Sequence, residues 1–283
     1  MKYKTLIVDA PYLVHKSHSA PYHISTSDGL DATIIHTATR SLNFLRKKFE
    51  PESIILAWES HGTESWRKKM YPNYKTTKIP LAKMYIDEIN DFRLLLHLLG
   101  VRQYYSPRNE ADDVIAKLSI SEIKPIIIHT TDKDMMQLVN DYVHVWTGKE
   151  IFDSEKVKEK YGVEPKHIPD LLALAGDKAD NIKGIDGVGF KKAAKIINKE
   201  GMIEQMGFST CKSNMTYCMS IRDMVLKNKR LTQLNFNCEL LKIPNPDFKT
   251  EHTIESIMSK YKLKQMKEKI DEYKLLGCKT LKT

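Results

Sequence analysis

Short apolar runs that are each followed by a carboxylate constrain this chain more than any other feature of its sequence. Asp9 follows the run LIV, Glu59 follows SIILAW, and Asp132 comes shortly after PIIIHT. Apolar runs of this length, bounded by polar residues, are typical of buried strands. Because helical apolar patterns separate the runs, the sequence predicts an α/β fold with a mostly parallel central sheet flanked by helices.

The predicted elements change in character near residue 150. Strands are predicted at 3–9, 53–58, 101–105, 125–130 and 142–147, with helices at 31–49, 83–99 and 110–122. Beyond residue 150 the strand signals fade, and the patterns at 154–161, 165–175, 189–199, 215–232 and 253–276 favour helices. We therefore expect an α/β core over residues 1–150 and a helical subdomain over residues 151–283.

Acidic residues are gathered at a few positions of a chain that is otherwise basic. The formal net charge is +9 and the sequence pI is about 9.1. A basic surface attracts phosphate backbones, although this signal alone is weak. The acidic groups are Asp9, Glu59, the NEADD residues Glu110, Asp112 and Asp113, the TTDKD residues Asp132 and Asp134, and the GDKADN residues Asp177 and Asp180.

These carboxylates predict a metal site at one edge of the sheet. Ligands of parallel sheets bind beyond the carboxyl ends of the strands, where Asp9, Glu59 and Asp132 would meet. Packing many carboxylates together is unfavourable unless cations neutralise them, and Mg²⁺ prefers oxygen ligands. Two such ions about 4 Å apart can activate a water and stabilise the leaving oxygen in phosphodiester hydrolysis. Each acid alone could instead cap a helix or form a turn, but their joint occurrence favours the metal site.

Two basic segments are candidates for contacts with nucleic acid. Residues 60–82 lack apolar periodicity, and their cations and aromatic rings could grip phosphates and stack on bases; a solvated basic loop is the alternative. The segment GIDGVGFKKAAKII predicts a helix–hairpin–helix, in which glycines let the backbone approach a phosphate and the next helix offers free N–H donors. The expected contacts are Arg67, Lys68, Lys69, Tyr71 and Tyr74 in the first segment, and Gly184, Gly187, Gly189, Lys191 and Lys192 in the second.

Several other classes of protein are disfavoured by the sequence. No run of about 18 apolar residues occurs, so we expect no membrane-spanning segment. The N-terminus is predicted to form a strand rather than a signal peptide. The four cysteines, Cys211, Cys218, Cys238 and Cys278, form no C-x-x-C pair. A zinc site is therefore not expected, and a reduced, cytoplasmic setting fits best.

Four segments together resemble the 5′-nuclease family, which includes the 5′→3′ exonuclease domains of bacterial repair polymerases and the stand-alone flap endonucleases of phages. The segments are LIVDA at 6–10, EADD at 110–113, TTDKD at 130–134, and the stretch 161–197, in which a DxxDN pair precedes a Gly-x-x-Gly-x-Gly hairpin. The resemblance spans roughly residues 3–200 and implies a PIN-like core with a helix–hairpin–helix subdomain.

The resemblance also implies roles for individual residues. Asp9, Glu59, Glu110, Asp112 and Asp113 would form or support a first metal cluster, and Asp132, Asp134, Asp177 and Asp180 a second. The cofactors would be two or more Mg²⁺ or Mn²⁺ ions, with K⁺ held by carbonyls of the hairpin. Residues 60–82, including Lys75 and Lys78, would form an arch over a 5′ strand, with Lys75 reaching the scissile phosphate. Lys16 and Lys78 would be catalytic together with Lys75. Glu59 departs from the usual Asp of the family, Ala10 from Gly, and Lys16 and Lys78 from Arg.

The function implied is that of a structure-specific 5′-nuclease, both flap endonuclease and 5′→3′ exonuclease. It would hydrolyse phosphodiesters at single-/double-strand junctions of DNA by two-metal-ion catalysis. Its partner would be DNA with 5′ flaps or ends, or an RNA:DNA hybrid, and we expect a monomer. Because no polymerase domain follows, we expect a stand-alone protein of a phage, acting in the host cytoplasm, or a second bacterial copy.

Three alternatives remain open at this point. A non-catalytic DNA-junction-binding protein on the same fold would also use the basic segments, but it would have no need of all nine acidic positions. A primer-removing ribonuclease acting on RNA:DNA would share every motif. A PIN-type ribonuclease would share the acidic sheet edge but would not explain the hairpin.

Overall fold

The computed structural model describes residues 1–60, 63–76, 85–206, 215–243, 253–274 and 276. Its strands are β1 (Thr5–Asp9), β2 (Ser53–Ala57), β3 (Arg102–Tyr105), β4 (Ile126–His129), β5 (Val143–Trp146), β6 (Ile151–Phe152), β7 (Gly176–Asp177), β8 (Ile182–Lys183) and β9 (Leu241–Lys242). Seven of them form one sheet in the order β6-β5-β4-β1-β2-β3-β9, and β7 pairs with β8 alone. The inner strands β1 to β5 are parallel, whereas β6 and β9 pair antiparallel at the edges.

Helices cover both faces of this sheet. They are α1 (Ala10–His18), α2 (Thr33–Phe49), α3 (Trp66–Met70), α4 (Ile86–Leu98), α5 (Ala111–Ser121), α6 (Ser154–Tyr161), α7 (Ile168–Ala175), α8 (Phe190–Glu200), α9 (Met215–Thr232), α10 (Ile254–Lys260), α11 (Lys264–Glu268) and α12 (Ile270–Lys274). Short 3₁₀ turns at Lys133–Leu138, Pro165–His167 and Ile203–Gln205 join some of them.

Alternate side chains of each inner strand enter two different cores. In β1, Leu6 and Val8 pack with α1, α2 and α4 on one face, while Ile7 packs with α5 and α7 on the other. This period of two is the geometry of an extended strand, and it requires apolar residues at every position when both faces are covered. The fully apolar runs of the sequence therefore become the centre of the sheet.

The chain after residue 150 lies in two places. Helices α7, α8 and α9 pack together and carry the β7–β8 hairpin, next to the acidic edge of the sheet. The chain then returns to the sheet as β9, and α10 packs on α4 in the core that contains α2. The division between core and subdomain that we expect at residue 150 stays a prediction.

The parallel sheet and its five predicted strands are confirmed as β1 to β5. The sequence analysis missed α1, because this helix begins directly after β1 without a loop. It also missed β6 to β9, which are two residues each and too short for a periodic signal. The single helix predicted over 253–276 was wrong, because that stretch forms the three short helices α10 to α12.

None of the described helices is both long enough and apolar enough to cross a membrane.

Candidate active site

The carboxyl end of β1 supplies the first acidic side chain of the site. Asp9 ends β1 and also caps α1, since its Oδ1 accepts from the backbone N–H of Tyr12 at 3.0 Å. Its Oδ2 accepts from the hydroxyl of Thr130 at 2.7 Å. Burial is the main reason that the pKa of Asp9 is raised to about 6; the two hydrogen bonds oppose this, and the charges of Asp132 and Glu59 add to it.

Acidic residues from neighbouring elements surround Asp9. β1 lies between β2 and β4 and is parallel to both, so their carboxyl ends meet at one edge. Asp112 lies in the first turn of α5, where burial and then the charge of Asp132 hold its pKa well above the usual value. The charges of Asp9 and Glu110 raise it further. Asp9, Glu59, Glu110 and Asp112 form one electrostatic group, which we call the first acidic group. The charge of Asp132 acts both on this group and on Asp134.

A second acidic group lies beside the first. Carboxylate oxygens of Asp134, Asp177 and Asp180 lie within 4.8 Å of one another, and all three residues are buried. Asp134 follows β4, Asp177 ends β7, and Asp180 lies in the turn between β7 and β8. Burial and the charge of Asp132 hold the pKa of Asp134 well above its usual value, and its Oδ1 has no hydrogen-bond partner within the described residues.

Two lysines partly neutralise these groups. The Nζ of Lys75 lies 3.1 Å from Glu110 Oε1 and 3.9 Å from both Asp112 Oδ2 and Asp180 Oδ2. Burial works to lower the pKa of Lys75, but Glu110 and Asp112 more than offset it and hold the pKa well above the usual value. The Nζ of Lys133 lies 2.6 Å from Asp177 Oδ2.

The arrangement fits divalent cations. Carboxylates outnumber the two lysines, the pKa values of Asp9, Asp112 and Asp134 are raised, and one buried oxygen of Asp134 has no hydrogen-bond partner within the described residues. A dense set of oxygen donors with unbalanced charge is what hard divalent ions bind. Asp9, Glu59, Glu110 and Asp112 could hold one ion, and Asp134, Asp177 and Asp180 another. Asp132, which we expect in the second cluster, lies close enough to both groups for its charge to raise the pKa of residues in each.

Asp113 does not face these oxygen donors. It is fully buried, and its two oxygens accept from both terminal nitrogens of Arg67 at 2.7 Å each and from the backbone N–H of Asn235 at 2.8 Å. The backbone N–H of Glu110 also donates to it. The expectation that Asp113 binds a metal was therefore wrong, because protein donors already bond to both of its carboxylate oxygens.

Two residues expected to contact nucleic acid are also buried. Arg67 is 1% exposed and pairs with Asp113, and Tyr74 is 3% exposed. The hydroxyl of Tyr74 donates to Glu110 Oε2 at 3.0 Å and to Asp180 Oδ2 at 3.1 Å. In this conformation neither side chain can touch a phosphate or stack on a base, so that expectation was wrong.

The other predicted residues of the basic segment are more accessible. Lys69 is exposed, Lys68 is half-buried, and Tyr71 is half-buried with the Lys227 ammonium 4.3 Å from its ring centre. Lys78 lies outside the described residues. Lys16 is exposed in the last turn of α1, with no carboxylate in an ion pair with it in the described chain.

The helix–hairpin–helix segment lies at the surface. Gly187 adopts a φ of +74° in open space, and Gly189 caps α8, also in open space. Lys191 and Lys192, at the start of α8, are exposed. Gly184 has a different role from the one expected, because a Cβ there would lie 2.3 Å from the Ala175 carbonyl carbon. Its lack of a side chain permits close packing of the backbone, not an approach to phosphate.

Lys133 and Asn181 were not predicted from the sequence to belong to the site. Lys133 stands between two predicted ligands, so its role as a counter-charge could have been inferred from TTDKD. Asn181 has a φ of +58°, and its side-chain amide donates to the Asn73 carbonyl at 2.8 Å. Asparagine tolerates this backbone region better than most residues, which is the one signal that the sequence offered.

Two family models together match most of the chain. The model described as 5′-3′ exonuclease, N-terminal resolvase-like domain, matches residues 4–162. The model described as 5′-3′ exonuclease, C-terminal SAM fold, matches residues 163–252. The first model ends with α6, and the second begins before α7.

Individual proteins give the same result. A 5′-3′ exonuclease of Aquifex aeolicus (strain VF5) is 33% identical over 277 residues, which cover 93% of this chain and 95% of that protein. Flap endonuclease Xni of Shewanella woodyi is 31% identical over 219 residues, covering 73% and 84%.

Among solved structures, the flap endonuclease of bacteriophage T5, in a pseudo-enzyme-product complex with DNA and metal ions, has a TM-score of 0.63 at 19% identity. That alignment covers 82% of this chain and 89% of the phage protein, and it supports the fold. With a family model over more than half of its length and a full-length relative above 30% identity, the chain belongs to the 5′-3′ exonuclease family.

Proposed function

We propose that this protein is a structure-specific 5′-nuclease that hydrolyses phosphodiester bonds of DNA where single and double strands meet. It acts both as a flap endonuclease and as a 5′→3′ exonuclease, as a monomer in the cytoplasm. One observation carries the proposal: two acidic groups, built from several separate segments of the sequence, lie together with the ammonium of Lys75 among them.

The cofactors that suit these oxygen donors are two or more Mg²⁺ or Mn²⁺ ions. When bound, such ions supply a nucleophile at neutral pH and stabilise charge on the leaving oxygen. The first acidic group and Asp134, Asp177 and Asp180 are the residues that hold them. The raised pKa values of Asp9 and Asp112 mean that protons compete with these ions for the same oxygens.

Lys75 contributes charge at the reacting phosphate. Without other cations its ammonium is held by Glu110 and lies near Asp112 and Asp180. From this position the ammonium would contact a scissile phosphate that enters among the carboxylates and stabilise the charge that develops there, while ions held by Glu110, Asp112 and Asp180 would supply the neutralising charge that Lys75 now gives them. Lys16, which is exposed on α1, would contact a phosphate of the DNA, and the resemblance to the family suggests the same role for Lys78.

The helix–hairpin–helix segment, residues 184–192, holds the duplex next to the cleaved bond. Exposed Lys191 and Lys192 and the open backbone at Gly187 and Gly189 suit contacts with phosphates that do not depend on base sequence. Carbonyls of the hairpin are the proposed site for K⁺. The 5′ end of the strand must leave the duplex to reach the carboxylates, and this costs least at frayed ends and flaps.

The test is cleavage of a 5′-labelled flap duplex in Mg²⁺, in Mn²⁺ and in EDTA. We expect short labelled products near the junction in either metal and none in EDTA. Tight binding of the duplex without any cleavage product in either metal would contradict the nuclease and support a non-catalytic junction-binding protein.

A primer-removing activity on RNA:DNA is the second candidate, because the same acidic groups and basic segments would serve it. The same junction with an RNA or a DNA 5′ strand decides between them. Faster cleavage of the RNA strand by tenfold or more, on the order of 1.4 kcal/mol, would make RNA the preferred substrate.

A further inference from the structure

The guanidinium of Arg67 joins three parts of the chain beneath the active site. Arg67 lies in α3, and its Nη1 and Nη2 each donate to Asp113 of α5 at 2.7 Å. Its Nε donates to the Leu231 carbonyl at 2.8 Å, and its Nη2 also donates to the Gln233 carbonyl at 3.1 Å, both at the end of α9. Arg67 thereby connects α3 both to α5 of the α/β core and to the end of α9 in the helical part.

No donor of Arg67 is left for DNA. Its fifth N–H, on Nη1, donates to Glu110 Oε2 at 3.1 Å, so all five donors of the guanidinium have acceptors. The residue is 1% exposed, and the Trp66 ring covers it with a centre-to-guanidinium distance of 4.4 Å. Arg67 is thus part of the interior, although it stands in the most basic stretch of the sequence.

Glu110 connects this guanidinium to Lys75. Oε2 of Glu110 accepts from Arg67 and from the Tyr74 hydroxyl, which leaves Oε1 to face the Lys75 ammonium at 3.1 Å. Arg67 and Tyr74 thus share one oxygen of Glu110, and the ammonium of Lys75 contacts the other.

The C-terminal end of the segment 67–76 is held by contacts that do not involve Arg67. The backbone N–H of Lys75 donates to the Asp180 carbonyl at 3.1 Å, and Asn181 donates to the carbonyl of Asn73. Lys75 has a φ of +52°, which is uncommon for a residue with a side chain and persists only when surrounding contacts enforce it.

We propose that Arg67 is a positioning residue that acts through Lys75. Its rigid fork, rather than its charge alone, holds Glu110 and the segment 67–76 so that the Lys75 ammonium stays among the carboxylates. The inference rests on the proposed function in one respect: Lys75 is taken to act on the scissile phosphate.

The first test measures the position of Lys75 without metal, DNA or catalysis. Acetylation of Lys75 by an amine-reactive reagent in EDTA is followed by mass spectrometry in wild type and Arg67→Lys. Lysine keeps the charge but loses the fork, so we expect Lys75 to react at least about fivefold faster in the variant. Unchanged reactivity of Lys75 would overturn the proposal.

A control pair lies at the other end of α5. Arg102 of β3 makes a bidentate pair with Glu122, the residue that caps α5, with both distances 2.9 Å, although this pair is more exposed than Arg67 and Asp113. Arg102→Lys should leave the reactivity of Lys75 at the wild-type rate. Equal acceleration in both variants would mean that any weakening of α5 exposes Lys75, and it would overturn a specific role for Arg67.

The second test is single-turnover cleavage of a flap duplex by Arg67→Lys, Lys75→Met and the double variant. We expect Arg67→Lys to slow cleavage at saturating enzyme on the order of 10²-fold, with the Kd for DNA within about threefold of wild type. In the Lys75→Met background the same change should have almost no further effect, because the two residues act in series. Additive losses, or a weaker Kd with an unchanged rate, would contradict this.

A further variant covers the case in which Arg67→Lys does not fold. The pair Arg67→Gln with Asp113→Asn removes both charges, so that no unpaired charge is buried. It should expose Lys75 to acetylation as Arg67→Lys would, and a protected Lys75 would overturn the proposal. If the wild type cleaves no junction, the proposed function fails, while acetylation still decides whether Arg67 positions Lys75.

Discussion

The arch base, residues 65–76, and the hairpin, residues 184–192, are both basic in sequence but differ in where their cations lie. Arg67 and Lys75 of the arch base are ion-paired with carboxylates of α5, and Arg67 is buried. Lys191 and Lys192 of the hairpin are exposed and have no carboxylate partner among the described residues. We therefore propose that these two basic segments have different tasks.

The difference separates chemistry from binding. Cations held among carboxylates can act only on a group that enters the acidic site, whereas exposed cations attract any phosphate backbone and release its counterions. Changes in the arch base should therefore affect the rate of cleavage at saturation. Changes in the hairpin should affect the affinity for DNA.

The largest effect is expected from the acidic site itself. Asp132→Asn keeps an oxygen that can accept from the backbone N–H of Asp134 but removes the charge between the two acidic groups. Cleavage in Mg²⁺ should fall by about 10³-fold in single-turnover assays, with the Kd for DNA unchanged or tighter. Asp141→Asn, at an exposed carboxylate before β5, is the control. Cleavage retained by Asp132→Asn would remove this residue from the mechanism.

The next effect is that of Lys75. Lys75→Met removes the ammonium but keeps a stem of similar length, so cleavage at saturating enzyme should fall on the order of 10²-fold. Lys2→Met, at an exposed lysine before β1, should leave the rate unchanged. A normal rate in Lys75→Met with a tenfold weaker Kd would make Lys75 a binding residue, like those of the hairpin.

The hairpin should show the opposite pattern. The double variant Lys191→Ala with Lys192→Ala should weaken binding about tenfold at low salt and reduce the slope of log K against log salt by about 2. Its cleavage rate at saturation should equal that of wild type. Lys199→Ala, at the far end of α8, serves as a control because that lysine pairs with Glu200. An unchanged salt slope would exclude the hairpin from the DNA interface.

The smallest effect concerns pH and stability. Burial raises the pKa of Asp9 to about 6, so folding favours its protonated form. The stability that this group contributes is complete below its ordinary pKa and is lost as pH rises through 6. In EDTA, Asp9→Asn should therefore match wild type in free energy of unfolding near pH 4 and exceed it by about 2 kcal/mol at pH 7.

Denaturant titrations at the two pH values check this prediction. Asn suits the site, because its oxygen can still accept from Tyr12 and its amide can donate to the hydroxyl of Thr130. Mg²⁺ should stabilise wild type more than the variant at pH 7. A constant difference between the two proteins from pH 4 to 7 would contradict the raised pKa.

The sheet and the acidic positions were predictable because they depend on local pattern. An apolar run with a carboxylate at its end places that carboxylate at the sheet edge once neighbouring strands are parallel, as Asp9 and Asp132 illustrate. The same runs predict that both faces of the sheet are buried, because successive apolar residues of a strand point to opposite faces. No knowledge of distant partners is needed for either inference.

The burial of Arg67 was not predictable from the same kind of pattern. Its partners Asp113 and Leu231 are 46 and 164 residues away in the chain, and nothing near Arg67 in the sequence indicates them. Local composition predicted a solvent-facing basic stretch. The helix α1 was missed for a related reason, since Asp9 is both the end of a strand and the cap of a helix.

The division of labour between arch base and hairpin is tested most directly by one titration. Cleavage of a single flap duplex in Mg²⁺ is followed against enzyme concentration for wild type, Lys75→Met and the Lys191→Ala, Lys192→Ala double variant. We predict that Lys75→Met lowers the plateau rate without moving the midpoint, and that the hairpin variant moves the midpoint without lowering the plateau. A lowered plateau in the hairpin variant together with a shifted midpoint in Lys75→Met would contradict the account.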